Sequence, residues 1–271
     1  MIRIFGAGVM KANYHTHTTW CDGKNTAREI VEKAIALGFD TIGFSSHAML
    51  PQNDVDWVLT SEKLPLYAAE IRSLAKEFSG RIRVLCAVEA DYIPGSSEPS
   101  YAVYSALKPD YIIGSVHFVR APDGAVVEVD NSPEVLSAGI KAHFEGDRER
   151  FVKAYFESVR DSLAFDFDVV GHPDLVRKFN FKHPYFDESA KWYRDEVALT
   201  AEAIAASGKI VEVNTGAISR GWFDDAYPSE FFRAELRSRN VNFMLNSDAH
   251  STDGIDCAFA RFADSERYVF I

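Results

Sequence analysis

The sequence predicts an α/β protein whose parallel strands close into a barrel. Two observations lead there. Short β-rich runs alternate with helical segments about seven times, which is the signature of a parallel sheet. Most of those runs also end in a histidine or a carboxylate, and only a closed barrel turns every strand end toward one point. In an open sheet the outer strands would lie too far apart to share a site.

The β-rich runs fall at residues 12–15 (ANYH), 40–45 (DTIGFS), 82–89 (IRVLCAVE), 111–116 (YIIGSV), 168–171 (DVVG), 210–214 (IVEVN) and 242–246 (NFMLN). Helical segments are expected over 26–37, 61–78, 133–163, 187–206, 228–239 and 253–263, with a weaker one near 98–107. Thr26 and Glu29 have the spacing of a capping box. Ser132 before Pro133 reads as an N-cap followed by a first-turn proline. Gly38 and Gly208 stand where helices should stop. Within 187–206, Ala190, Tyr193, Val197, Thr200, Ala201 and Ile204 recur on one helical face.

Length and composition bound the function. A chain of 271 residues, 47% hydrophobic and 25% charged, has the apolar mass for one large core and is expected to form a single domain. Residues 1–10 are read as an N-terminal extension, since the first structured signal begins near Lys11. No apolar run approaches the roughly 20 residues that span a bilayer, so no membrane partner is expected. Three widely spaced cysteines, Cys21, Cys86 and Cys257, with no CxxC, fit a reducing cytoplasm. The net charge of -11 disfavours nucleic acid as a partner. It leaves room for a small anionic substrate at a site made locally positive by metal ions or arginines.

The segment YHTHTTWCDG, residues 14–23, carries the strongest chemical signal. His15 and His17 stand two apart, so on an extended chain both imidazoles point the same way. Asp22 follows in a glycine-containing turn able to fold back. Nitrogen and oxygen donors together suit zinc, manganese or iron. An isolated H-x-H is as well explained by solvent-facing histidines, but this one is not isolated. The second run ends in His47, the third in Glu89 and Asp91, the fourth in His117, and the fifth in His172 and Asp174. The seventh ends in Asp248 and His250, again two apart. Six of the eight histidines thus sit just past a strand end. His143, in a helical region, and His183, before Pro184, read as ordinary surface or packing residues.

Nine candidate ligands result: His15, His17, Asp22, His47, Glu89, His117, His172, Asp248 and His250. They exceed the needs of one ion and suit two or three, bridged by a carboxylate such as Glu89. A polynuclear cluster clamps phosphate oxygens and makes hydroxide available near neutral pH, which points to phosphate-ester hydrolysis without a protein nucleophile. The sixth run lacks a histidine, but Arg220 follows it on a loop. Arg177 and Lys178 follow the fifth. The guanidinium fork matches phosphate oxygens in a bidentate way. Asn214 reads as a hydrogen-bonding or turn residue. Ser45 and Ser46 lie outside any G-x-S-x-G elbow. Cys21 and Cys86 read as small buried side chains, and Gly114 and Gly171 as close-packing glycines.

The pattern H-x-H-x4-DG, the later single histidines, the strand-three glutamate and the final D-x-H resemble the polymerase-and-histidinol-phosphatase (PHP) superfamily, from about Asn13 to Phe262. The resemblance implies a distorted (β/α)7 TIM-like barrel with three divalent ions, zinc, manganese or iron, at its C-terminal rim. It implies that His15, His17, Glu89 and Asp248 hold one ion. Glu89, His117 and His172 hold the second, and Asp22, His47 and His250 the third. The segments EADYIPG (89–95), GSVHFV (114–119), VDNSPE (129–134) and GHPDLVRKF (171–179) are similar to the histidinol-phosphate phosphatase branch. For that branch the resemblance implies that Arg177 and Arg220 bind the substrate phosphate and complete a catalytic set with Asp248 and His250. The charged segment RAPDGAVVEVDN after His117 is expected to shape an amine pocket, with Asp91 and Glu128 as candidate carboxylates.

The leading expectation is a cytoplasmic phosphomonoesterase acting on L-histidinol phosphate. A PHP-type phosphoesterase for nucleotides, nucleic-acid ends or phosphotyrosine is the second reading. A metal-binding protein without turnover is the third. The oligomeric state is not legible.

Overall fold

A computed structural model describes residues 10–48, 50, 57–182 and 184–271. All seven β-rich runs form strands. These are β1 (Ala12–Asn13), β2 (Thr41–Phe44), a third strand in two pieces, β3 (Arg83–Cys86) and β4 (Val88–Asp91), and β5 (Ile112–Ser115). After a short hairpin, β6 (Phe118–Arg120) and β7 (Val126–Glu128), come β8 (Val169–Val170), β9 (Ile210–Asn214) and β10 (Phe243–Asn246).

Apart from the hairpin, every paired strand runs parallel. One face of the third strand pairs with β2, through Ile42 beside Val84. The other pairs with β5, through Glu89 beside Ile113. The two pieces are one strand interrupted at Ala87, whose N–H donates to the Phe44 carbonyl at 2.8 Å. The series continues through β8 and β9 to β10. The ring closes where Thr16 bridges Ala249 in parallel and the His17 N–H donates to the Ala249 carbonyl at 2.8 Å.

Alternation along the strands separates two environments. Val84, Cys86, Val88 and Ala90 face the helices and join a large cluster with Ile30, Ile42, Ile71, Ile112 and Val211. Leu85, Ala87, Tyr111, Ile113, Val169 and Met244 form a smaller cluster inside the barrel. Two residues further along the same faces stand Glu89, Ser115 and Asn246, all buried. The interior is therefore apolar below and polar at the C-terminal rim.

The helices are α1 (Ala27–Ala36), α2 (Leu64–Glu77), α3 (Pro133–His143), α4 (Arg148–Ser162), α5 (Lys191–Ser207), α6 (Gly216–Ser219), α7 (Glu230–Ser238) and α8 (Phe259–Phe262). Thr26 and Glu29 make the full capping box, Ser132 caps α3, and Gly208 ends α5 in the left-handed conformation. The buried face of α5 carries Tyr193, Val197, Thr200, Ala201 and Ile204, while Ala190 is instead its N-cap residue.

Three expectations change. The single helix over 133–163 is two, because Glu145 and Gly146 take positive φ and Asp147 caps the second. The 98–107 segment is a series of turns, tied down by Tyr101 donating to Asp168 at 2.7 Å. The 253–263 segment is a 3-10 turn at Thr252–Gly254 followed by the short α8. The extension assigned to residues 1–10 lies outside the described residues except for Met10. No described helix is long and apolar enough to cross a membrane. All three cysteines are free.

The barrel interior leaves little slack at Gly43, where an added Cβ would meet the Tyr111 hydroxyl at 2.0 Å. Tyr111 is fully buried and its hydroxyl donates to the Tyr14 carbonyl, so the ring has nowhere to retreat. Gly43→Ala is expected to lower unfolding stability by about 1–3 kcal/mol, the usual cost of overpacking, measured by urea titration.

Candidate metal centre

The strand ends and the turn after His17 bring the nine sequence-predicted ligands into one cluster, with the fully buried Glu89 among five of its histidines. Its Oε2 lies 3.2 Å from His15 Nε2, 3.5 Å from His17 Nε2 and 3.1 Å from His47 Nδ1. Its Oε1 lies 2.9 Å from His172 Nε2 and 3.6 Å from His117 Nε2, and accepts from Ser115 Oγ at 2.7 Å. Asp248 Oδ1 lies 3.2 Å from His17 Nε2 and 3.6 Å from His15 Nε2. Asp248 holds this place with a positive φ of 50°, a conformation that costs energy in a non-glycine residue.

The turn after His17 folds back as its glycine requires. The N–H groups of Cys21 and Gly23 both donate to the Thr18 carbonyl at 3.0 Å, and a Cβ on Gly23 would strike Thr18 N at 2.4 Å. Asp22 is thereby carried to 3.0 Å from His250 Nε2 and 3.8 Å from His47 Nε2. Three donor groups are tight enough to hold an ion: His17, Asp22, His47 and His250; His15, His17 and Glu89; and His47, Glu89 and His117. The geometry shares His17 and His47 between groups, where the family pattern gives each to one ion.

Several buried atoms here have no hydrogen-bond partner: His15 Nε2, His17 Nε2, His47 Nδ1 and Glu89 Oε2. Leaving such atoms bare costs about 1–3 kcal/mol each. Their lone pairs face one another across a few ångströms, the arrangement that a shared cation satisfies. Burial, and then the neighbouring His250 and His47, push His17 down to about 3, so its imidazole is neutral and available as a donor. Burial disfavours the charged form of Glu89, yet His15, His47 and His117 hold it well below the usual carboxylate range. Imidazoles packed on ionised carboxylates form a donor set fit for divalent metal ions, which bind as the imidazoles give up their protons.

Two further carboxylates stand behind the histidines. Asp91, proposed from sequence for an amine pocket, is buried and accepts from the His117 backbone N–H at 2.9 Å, with His117 Nδ1 also 2.9 Å away. Both contacts turn it toward His117, whose ring it orients. Glu212, on β9, lies 2.9 Å from His15 Nδ1. Sequence reasoning missed it. The available signal was an acid at the centre of IVEVN, since a parallel strand covered on both faces rarely tolerates one without purpose.

Of the two arginines, Arg220 reaches the centre. Its Nη2 lies 2.7 Å from Asp248 Oδ2 and its Nη1 3.1 Å from His250 Nδ1. Gly216 makes that approach possible, because a Cβ there would meet Arg220 Nη2 at 2.5 Å and Asp248 Oδ2 at 2.9 Å. Arg177 is engaged elsewhere: Nε donates to Glu188 at 2.8 Å and Nη1 to Asp174 at 3.3 Å. Its neighbour Lys178 donates to Asp130 Oδ2 at 2.9 Å. The hairpin places Asp130 beside the centre, since Val129 N–H donates to the His117 carbonyl at 2.8 Å. Glu128 stands next to Asp130, and burial, then the Asp130 charge, raise its pKa.

The remaining sequence assignments sort simply. His143 pairs with Asp123 at the surface, and His183 lies outside the described residues. Cys86 is buried, and Cys21 Sγ sits 3.5 Å from His17 Nδ1. Ser45 and Ser46 are fully buried. Gly114 and Gly171 are close-packing positions, a Cβ meeting Phe167 at 2.6 Å or Ser115 Oγ at 2.3 Å. Asn214 hydrogen-bonds Glu212 and Asp248. A surface cleft of about 760 Å³ between Arg120 and Lys153 contains none of the nine residues.

A closed parallel barrel with a histidine–carboxylate cluster at its C-terminal rim is a metal-site architecture, and comparison with known proteins gives it a family. The PHP domain matches residues 13–216, and the chain belongs to that family. A Deinococcus radiodurans protein provisionally named histidinol-phosphatase is 32% identical over 254 residues, covering 91% of this chain and 88% of its own length. The Bacillus subtilis histidinol-phosphatase is 28% identical over 271 residues, covering 94% of this chain and 99% of its own. The solved structure of Lactococcus lactis histidinol phosphate phosphatase, complexed with zinc, L-histidinol and phosphate, superposes with a TM-score of 0.64 at 23% identity, covering 90% of this chain and 88% of that one. That likeness shows the shared fold.

The Asp130–Lys178 pair makes a pH-dependent prediction. Burial disfavours the charged carboxylate, but Lys178 and then His117 lower Asp130 to about 2. A depressed folded value stabilises the fold above the unfolded value near 3.9, and the contribution fades as pH falls from about 4 to about 2. Asp130→Asn is expected to lower stability by about 1–2 kcal/mol at pH 7, with the gap narrowing below pH 4 in urea titrations. A gap that does not change with pH would count against the pair.

Proposed function

We propose that this chain is a metal-dependent phosphomonoesterase that hydrolyses L-histidinol phosphate to L-histidinol and phosphate, using three divalent ions. The observation that carries it is the convergence of five histidines on Glu89, with Asp22, Asp248 and His250 beside them, in a chain that aligns with histidinol-phosphatases over more than nine-tenths of its length. His15, His17, Glu89 and Asp248 would hold one ion, Glu89, His117 and His172 the second, and Asp22, His47 and His250 the third. Zinc in the Lactococcus lactis structure supports that metal, with manganese and iron served by the same donors.

When bound, ions of this kind supply Lewis acidity toward phosphoryl oxygens and hydroxide near neutral pH. The chain's own residues provide the rest. Glu89 would serve two ions, since its two oxygens face imidazoles from different strands. Arg220 lies against Asp248 and His250, where it can neutralise charge developing on the phosphoryl group. Arg177, paired with Glu188 and Asp174, would bind the phosphate only on leaving those partners. Glu128 and Asp130 give the hairpin side of the site a negative character suited to a substrate ammonium.

Phosphate release from histidinol phosphate, compared with p-nitrophenyl phosphate and AMP, tests the reading in protein of measured metal content. Fast, selective release abolished by chelator and restored by zinc or manganese is the expected result. Release from the other esters alone would retain the chemistry and remove the substrate. For Arg220→Ala, a loss of about 10²–10³-fold in kcat is expected at unchanged metal content.

A further inference from the structure

Glu212 is fully buried, and its charged partner among the described residues is His15. Four donors converge on its two oxygens. Oε2 lies 2.9 Å from His15 Nδ1 and accepts from Asn246 Nδ2 at 2.9 Å. Oε1 accepts from the His172 backbone N–H at 2.9 Å and from Asn214 Nδ2 at 2.8 Å. The residue therefore ties β9 to β1, to β10 and to the chain just past β8.

We propose that Glu212 is a positioning residue that dictates how His15 binds metal. An ionised carboxylate offers acceptors only. It holds the His15 proton on Nδ1, which leaves the lone pair on Nε2, the atom facing Glu89 and Asp248. It also fixes the plane of the ring and raises the basicity of the ligating nitrogen. Asp91 does the same for His117 through a single oxygen, but it is not locked by asparagines from neighbouring strands. Asn214 extends the lock to the ligand Asp248, 3.3 Å from its Nδ2.

Glu212→Gln is the diagnostic substitution because shape is conserved and acceptor capacity is halved. The amide keeps one accepting oxygen, and its NH2 must face two of the four donors. The expected result is a 10–100-fold weaker affinity for the ion at His15, read by competition of the zinc-loaded protein with a chromophoric chelator. Ions held away from His15 should be retained. Since a buried substitution can weaken folding, Ile204→Ala serves as the control: it opens a cavity under α5, on the helix side of the barrel wall, and should leave zinc affinity unchanged. Zinc-loaded wild type labelled with 15N-histidine gives a second readout, with His15 ligated through Nε2 and protonated at Nδ1. Ligation through Nδ1, or a Glu212→Gln affinity within twofold of wild type, would overturn the proposal. Both readouts are independent of the substrate, so they stand or fall separately from the histidinol phosphate assignment.

Discussion

The structure depends on burying Glu89. A carboxylate with no solvent access must be compensated, and a single lysine or arginine would have been the ordinary solution. Here five histidines surround it instead, from the ends of β1, β2, β5 and β8. Protonated imidazoles compensate that charge directly, and neutral ones do so by sharing a cation with it. The barrel must close for those strand ends to meet, and the closing contact, His17 to Ala249, falls between two of the ligand-bearing segments.

Beneath that centre lies a polar layer built to hold its histidines still. Asn13 accepts from the His15 N–H at 3.1 Å, and Asn246 accepts from the Tyr14 N–H at 2.9 Å. Asn214, Asn246 and Glu212 complete the layer. Amides suit it because each offers donors and acceptors at once and can join strands whose own ladders end at the rim. Below them the interior turns apolar at Leu85, Ala87, Ile113 and Met244, so the polar layer is sealed from the opposite end of the barrel. The polar groups at the site are consequently held in a low-dielectric setting, where charge–charge terms are strong and geometry is stiff.

The hairpin of β6 and β7 adds an antiparallel pair to the rim. It carries Asp130 and Glu128 to the side of His117 and meets Lys178 from the loop after β8. Its strands are three residues long, and their mixture of valine, arginine and glutamate gives no clear period, so it was not legible as structure. The break between α3 and α4 was written in Glu145, Gly146 and Asp147, a glycine stop followed by an N-cap.

Local signals determined a great deal without the fold. The seven strands, the caps at Thr26 and Ser132, the i, i+2 histidines and the turn through Gly23 all follow from spacing and residue type, because they concern neighbours in the chain. The nine candidate ligands were legible for the same reason, eight standing at or just past the end of a β-rich run and Asp22 in the turn after the first. Only the tertiary structure decided which side chains face one another. It put Arg220 against Asp248 and Arg177 against Asp174 and Glu188, though both arginines read alike. It turned Asp91 toward His117, and it made Glu212 the anchor of His15 across 197 residues of chain. Those outcomes depend on register between distant strands and on which face of the barrel wall each residue occupies, and no local pattern carries that information.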